Sequence, residues 1–85
     1  MPGILAKMIT LYINPTCPYC IKTMKVAHEL NIPLDLRDIH TPELFEELLR
    51  LGGKAQFPYM VDTDRGVSMY ESEDIMQYFR THYGT

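Results

Sequence analysis

Two cysteines three positions apart, in the tetrad Cys17-Pro18-Tyr19-Cys20, are the residues of this chain best suited to chemistry. They follow an apolar run, Met8-Ile9-Thr10-Leu11-Tyr12-Ile13, and precede a helical pattern, so the first sulfur falls at a helix N-terminus. The unpaired N–H groups and the positive dipole end found there favour a thiolate over a thiol. They predict a Cys17 pKa below the ordinary value of about 8.5 and a nucleophile at neutral pH. Pro18 suits the first helical position, where its missing N–H costs nothing and its fixed φ is already helical. Cys20, about one turn further on, is placed to attack a mixed disulfide formed on Cys17. A disulfide closing so short a loop stabilises a chain by roughly 2 kcal/mol, against about 3 for a loop of about 15 residues, so the pair reads as chemical rather than structural. Zinc needs four ligands, and only His28, His40 and His82 remain to complete a set, none at paired spacing, so no metal is expected.

Positioning such a pair takes a strand that delivers the first cysteine and a helix that begins on it. Residues 8–13 read as a strand buried on both faces, ended by the turn cluster Asn14-Pro15-Thr16. From 18 to 30 the apolar set Cys20/Ile21, Met24, Ala27 and Leu30 predicts an amphipathic helix, with Lys22, Lys25 and Glu29 on its other side. Asn31-Ile32-Pro33 stops it, and the alternation of Leu34-Asp35-Leu36-Arg37-Asp38-Ile39 predicts a short strand. Thr41 as N-cap and Pro42 as first residue open a second helix with the apolar face Leu44/Phe45 and Leu48/Leu49, closed by Gly52-Gly53. Residues 59–62 and 67–70 form a hairpin around Thr63-Asp64-Arg65-Gly66. Ser72 is expected to cap a last helix carrying Glu73 and Asp74 in its first turn, with Ile75, Tyr78/Phe79 and His82 on one face.

The order βαβαββα predicts an α/β fold: two parallel strands joined by a crossover helix, an added antiparallel hairpin, and helices covering the sheet. The cysteine pair then lies at the C-terminal edge of a central strand, where open α/β sheets place ligands. Residues 1–7 are expected to be an N-terminal tail and 8–85 a single domain. With eight basic and eleven acidic residues interspersed, the net charge of −3 gives no basic stripe for nucleic acid. No apolar stretch approaches a membrane span and no secretory signal is recognisable, so a cytoplasmic location is expected, with no membrane partner and a monomeric state.

Three segments, in this order and spacing, resemble the glutaredoxin family of thiol–disulfide oxidoreductases, from Met8 to Tyr83. Cys17-Pro18-Tyr19-Cys20 is identical to the dithiol motif of that family. Gln56-Phe57-Pro58 is similar to its Thr-Val-Pro segment with a cis proline. Met69-Tyr70-Glu71-Ser72-Glu73-Asp74-Ile75 opens the last helix where the family binds the γ-glutamyl end of glutathione. Glu71-Ser72 itself looks more like the corresponding segment of glutathione transferase N-terminal domains than the Gly-Gly-Cys/Ser-Asp-Asp of typical glutaredoxins. The resemblance implies a thioredoxin fold, a four-stranded mixed sheet with three helices, and glutathione as reductant and co-substrate. It implies glutathione-dependent reduction of protein disulfides and protein–glutathione mixed disulfides, with Cys17 as the catalytic nucleophile and Cys20 or glutathione resolving. It also implies a glutathione site made of Tyr19, Phe57, Pro58, Glu71, Ser72 and Glu73, with Glu73 or Asp74 taking the ammonium. A lysine common three residues before the first cysteine is Asn14 here, which leaves Arg37, Lys54 and Gln56 as candidates for the glycine carboxylate. Two rival readings are a scaffold or carrier holding a glutathione-ligated [2Fe–2S] cluster between two subunits, and a non-catalytic glutathione-binding module. A thioredoxin-type reductase partner is disfavoured by the Pro-Tyr content of the motif.

Overall fold

The computed structural model describes residues 9–84. The expected tail and Met8 lie outside them. Seven elements follow in the expected order: β1 (Ile9–Ile13), α1 (Pro18–Glu29), β2 (Leu34–Asp38), α2 (Pro42–Gly52), β3 (Tyr59–Asp62), β4 (Val67–Met69) and α3 (Ser72–Tyr83). They form one four-stranded mixed sheet in the order β2-β1-β3-β4, with β1 parallel to β2 and antiparallel to β3, and β3 antiparallel to β4. This is the thioredoxin fold that the element order and the resemblance imply.

Strand alternation sorts the core into two layers. Ile9, Leu11 and Ile13 of β1 and Met60 of β3 point to one face, where they pack with Cys20, Val26 and Ala27 of α1 and Ile75, Met76 and Phe79 of α3. Tyr12 and Tyr59, the residues between them, point to the other face and pack with Leu48 of α2. β1 is therefore buried on both sides, as its unbroken apolar run predicts. β2 is an edge strand, and its alternation is only partly covered: Leu34 packs on the α1 layer while Leu36 is 49% exposed.

Two helices are phased differently from the hydropathy reading. In α1 the buried face is Cys20, Thr23, Val26 and Ala27, and Ile21 is 48% exposed. Thr23 can be buried because its hydroxyl donates to the Tyr19 carbonyl at 2.8 Å, which satisfies its polar group within the helix. In α3, Met76 joins Ile75, Tyr78 and Phe79 in the core, whereas His82 is exposed and lies against the Tyr78 ring, 4.6 Å between centroids. The last helix also begins one residue earlier than expected. Glu71 is its N-cap and Ser72 its first helical residue, because the Glu71 carbonyl accepts the first helical bond, from Ile75 N–H at 2.9 Å. Thr41 does cap α2, through its carbonyl and not its hydroxyl. That helix ends on Gly53, whose φ of 81° is left-handed and whose N–H returns to the Leu49 carbonyl at 2.9 Å.

Candidate functional site

The turn between β1 and α1 is fixed from within. The Asn14 side-chain oxygen accepts from the Thr16 N–H at 3.0 Å and the Thr16 hydroxyl at 2.9 Å, and the Cys17 N–H donates to the Asn14 carbonyl at 3.0 Å. The chain thus arrives at Cys17 in an extended conformation, φ −78° and ψ 123°, as the N-cap of α1 with Pro18 behind it. Its carbonyl accepts from Ile21 N–H at 3.0 Å, and no capping hydrogen bond engages its sulfur. The two thiols are both free and differ in access: Cys17 is half-buried, while Cys20 is fully buried beneath the helix. Burial pushes the Cys20 thiol up to about 11, helped by the neighbouring Cys17 sulfur and opposed by the Asn14 N–H, which lies 3.5 Å from Cys20 Sγ. Cys20 is therefore a protonated thiol at neutral pH, held ready beside its partner.

Next to this turn lies a pocket of about 370 Å³ lined by Tyr19, Gln56, Phe57, Pro58, Glu71, Ser72 and Glu73. All six residues named from sequence for glutathione meet here, together with Gln56. Tyr19, 61% exposed, forms the wall that begins two residues after Cys17. The opposite walls are the segment ahead of β3, in which the Phe57–Pro58 peptide is cis, and the first turn of α3. Ser72 and Glu73 are the first two residues of α3, so their N–H groups lack helical partners and face anions with the positive end of the helix. The pocket carries two carboxylates with different partners: Glu71 accepts from Gln56 Nε2 at 3.1 Å, and Glu73 pairs with Lys22 of α1 at 3.6 Å. Lys22, outside the lining but paired with one of its carboxylates, is a contribution missed from sequence. It follows Tyr19 by three positions, so the two share a helix face, and that spacing is the signal that reveals it.

Arg37, Lys54 and Asp74 do not line the pocket. Arg37 projects from β2 to the opposite side of the sheet. There it pairs with Asp35 at 2.7 Å and with Glu47 of α2, which also accepts from the Tyr12 hydroxyl. Those bonds raise the Arg37 pKa, hold the Glu47 carboxyl below its usual range, and, with burial as the larger cause, push the Tyr12 phenol up to about 12. The cluster ties β1, β2 and α2 together beside a shallow groove of about 340 Å³. Lys54 lies in the loop after α2, where its N–H donates to the Tyr70 hydroxyl at 3.2 Å and its carbonyl accepts from that hydroxyl at 3.0 Å. Among the described residues, no three His, Cys, Asp or Glu side chains are grouped as for a metal ion, and no helix is long and apolar enough to cross a membrane.

Solved structures with this fold include a Bombyx mori glutathione transferase, 27% identical with a TM-score of 0.79, aligned over 98% of this chain and 39% of its own. A glutathione S-transferase from the Antarctic clam Laternula elliptica is 29% identical with a TM-score of 0.76, over 89% of this chain and 35% of its own. A glutathione transferase homologue from Drosophila mojavensis, solved with bound glutathione, shares the fold at 22% identity and a TM-score of 0.78, over 92% of this chain and 36% of its own. The chain thus spans less than two fifths of the length of these transferases. No curated protein matches it. The profile of the glutathione S-transferase N-terminal domain matches residues 11–85, and the chain belongs to that family.

Proposed function

We propose that this domain is a glutathione-dependent thiol–disulfide oxidoreductase of glutaredoxin type, acting on protein disulfides and protein–glutathione mixed disulfides. The observation that carries this reading is the pairing of two free thiols of unequal access, Cys17 at a helix N-terminus and Cys20 buried behind it, next to a pocket lined by the first turn of α3. In the first step the Cys17 thiolate attacks the glutathione sulfur of a mixed disulfide. The substrate S–S bond breaks, a Cys17–glutathione disulfide forms, and the substrate leaves as a thiolate that takes a proton. A second glutathione thiolate then attacks the bound glutathionyl sulfur, releasing glutathione disulfide and restoring the Cys17 thiolate. One free glutathione is consumed per turnover: its sulfur is oxidised into glutathione disulfide, the protein sulfur is reduced to the thiol, and the substrate's glutathionyl sulfur stays at the disulfide level throughout. With a protein disulfide, Cys17 forms a mixed disulfide with one substrate sulfur, and two free glutathiones later reduce the Cys17–Cys20 disulfide that closes when Cys20 displaces the product. The Cys20 proton leaves as its sulfur attacks, and the Asn14 N–H stands where the developing sulfur charge needs a donor.

Glutathione then lies along the pocket with its cysteinyl backbone against Phe57, in the manner of an added strand. Its γ-glutamyl carboxylate meets the N–H groups of Ser72 and Glu73, and its ammonium meets Glu71. Glu71 suits this role better than Glu73, which faces Lys22, or Asp74, which does not line the pocket.

The test is glutathione-dependent reduction of a small glutathione mixed disulfide by wild type, Cys17→Ser and Cys20→Ser. Wild type and Cys20→Ser are expected to turn over, with Cys17→Ser at least a hundredfold slower. Equal rates for all three proteins, or an inactive wild type, overturn the reading. An inactive wild type that still binds glutathione identifies a binding module.

A further inference from the structure

The two carboxylates of the pocket are held in chemically different ways. Glu73 faces a cation, Lys22, whereas Glu71 is held by a neutral amide donor, Gln56 Nε2, 15 residues away in sequence. A neutral donor orients a carboxylate without cancelling its charge. Gln56 bonds to Oε2, and a carboxylate offers about four lone-pair sites over its two oxygens, so Oε1 keeps its full capacity for a ligand. Both residues line the pocket, Gln56 from the segment before Pro58 and Glu71 from the N-cap of α3. Glutamate is a flexible side chain that loses rotamer freedom when a ligand fixes it, and an amide already holding it reduces what remains to be lost on binding.

Resting on the glutathione reading above, we infer that Gln56 is a positioning residue: its amide fixes the Glu71 carboxylate so that the free oxygen meets the ammonium of a zwitterionic α-amino-acid terminus. Its task is on the amino-acid end of the ligand and not on the distant glycine carboxylate, the role for which the sequence made it a candidate. The same geometry argues for selectivity. A ligand of equal size lacking the ammonium gains nothing from an ordered Glu71 and leaves that carboxylate unpaired.

Calorimetric binding of glutathione and of its analogue lacking the γ-glutamyl amino group, to wild type, Gln56→Met, Glu71→Gln and the double variant, tests this. Met keeps the length of Gln and removes the donor. Gln56→Met is expected to weaken glutathione by about three- to tenfold and leave the analogue unchanged. Glu71→Gln is expected to abolish the preference for glutathione over the analogue, and adding Gln56→Met to it to change nothing more. Equal weakening of both ligands by Gln56→Met would overturn the inference by showing a general structural role. Tighter glutathione binding would overturn it by showing that Gln56 competes with the ammonium. Wild type that binds neither ligand overturns the functional reading itself, which separates the two failures.

Discussion

The difference between the two sulfurs is set by one helical turn. Cys17 sits at the N-cap and Cys20 falls on the core face, where solvent is absent and the thiol form is favoured up to about pH 11. A bulky maleimide at neutral pH is accordingly expected to add once to the native protein, at Cys17, and a second time only after unfolding. Peptide mass spectrometry locates the adduct, and prompt native labelling of Cys20 contradicts this account. The placement of the cysteine pair, one sulfur at a helix N-terminus and the other a turn further on, was legible because spacing and the turn residues before it determine that placement. Arg37 was misread for the opposite reason, since sequence gives a side chain's type but not which layer it joins. Register holds the answer: Tyr12 pairs with Arg37, and Tyr12 belongs to the face away from α1. Once β1 and β2 are aligned, Arg37 can no longer reach the pocket.

At the scale of elements, α3 is tied at its far end to β3. Asp62, 2% exposed, accepts from the Tyr78 hydroxyl at 2.7 Å and the Tyr83 hydroxyl at 2.6 Å. Burial raises its pKa, but these bonds and the N–H groups of Arg65 and Asp64 outweigh burial, so the carboxyl titrates below its ordinary value. The carboxylate therefore contributes its full stability above the unfolded value of about 3.9, and loses it as pH falls through the lower folded value. The tyrosines carry the opposite sign. Burial and then Asp62 push Tyr83 up to about 12 and Tyr78 higher still, so their contribution holds below about 10 and is lost as pH rises through the folded values. Tyr83→Phe is expected to cost about 1–3 kcal/mol at neutral pH and to flatten the loss of stability below about pH 4. Urea titrations from about pH 2.5 to 7 measure both, and an unchanged pH profile refutes the assignment. The existence and order of every element were readable from periodicity and turn residues. Helix phase was less so: Thr23 ranks below Ile21 in hydropathy, yet it takes the buried position because its hydroxyl is satisfied by its own helix.

Across the whole molecule, the sheet divides the chain into a layer that carries the cysteine pair and one wall of the pocket, α1 with α3, and a layer that braces it, α2. Sequence placed all three helices against a sheet without stating which shared a side, because sidedness follows from strand register. Gly52 shows how the layers meet. A Cβ there would fall 2.0 Å from the Tyr70 hydroxyl, which bridges the N–H and carbonyl of Lys54, while the Tyr70 ring lies 4.4 Å from that of Tyr59. Gly52→Ala must therefore displace the tyrosine, and a net loss of about 1–3 kcal/mol is expected despite the better helix propensity of alanine. An unchanged urea midpoint would speak against it. Tyr70 is also the residue immediately before Glu71. The bracing helix is thus coupled to the wall of the pocket: a methyl group added at Gly52, on the far side of the sheet, is expected to shift Tyr70 and with it the neighbouring Glu71, so that the affinity proposed for glutathione should change from a position no ligand touches.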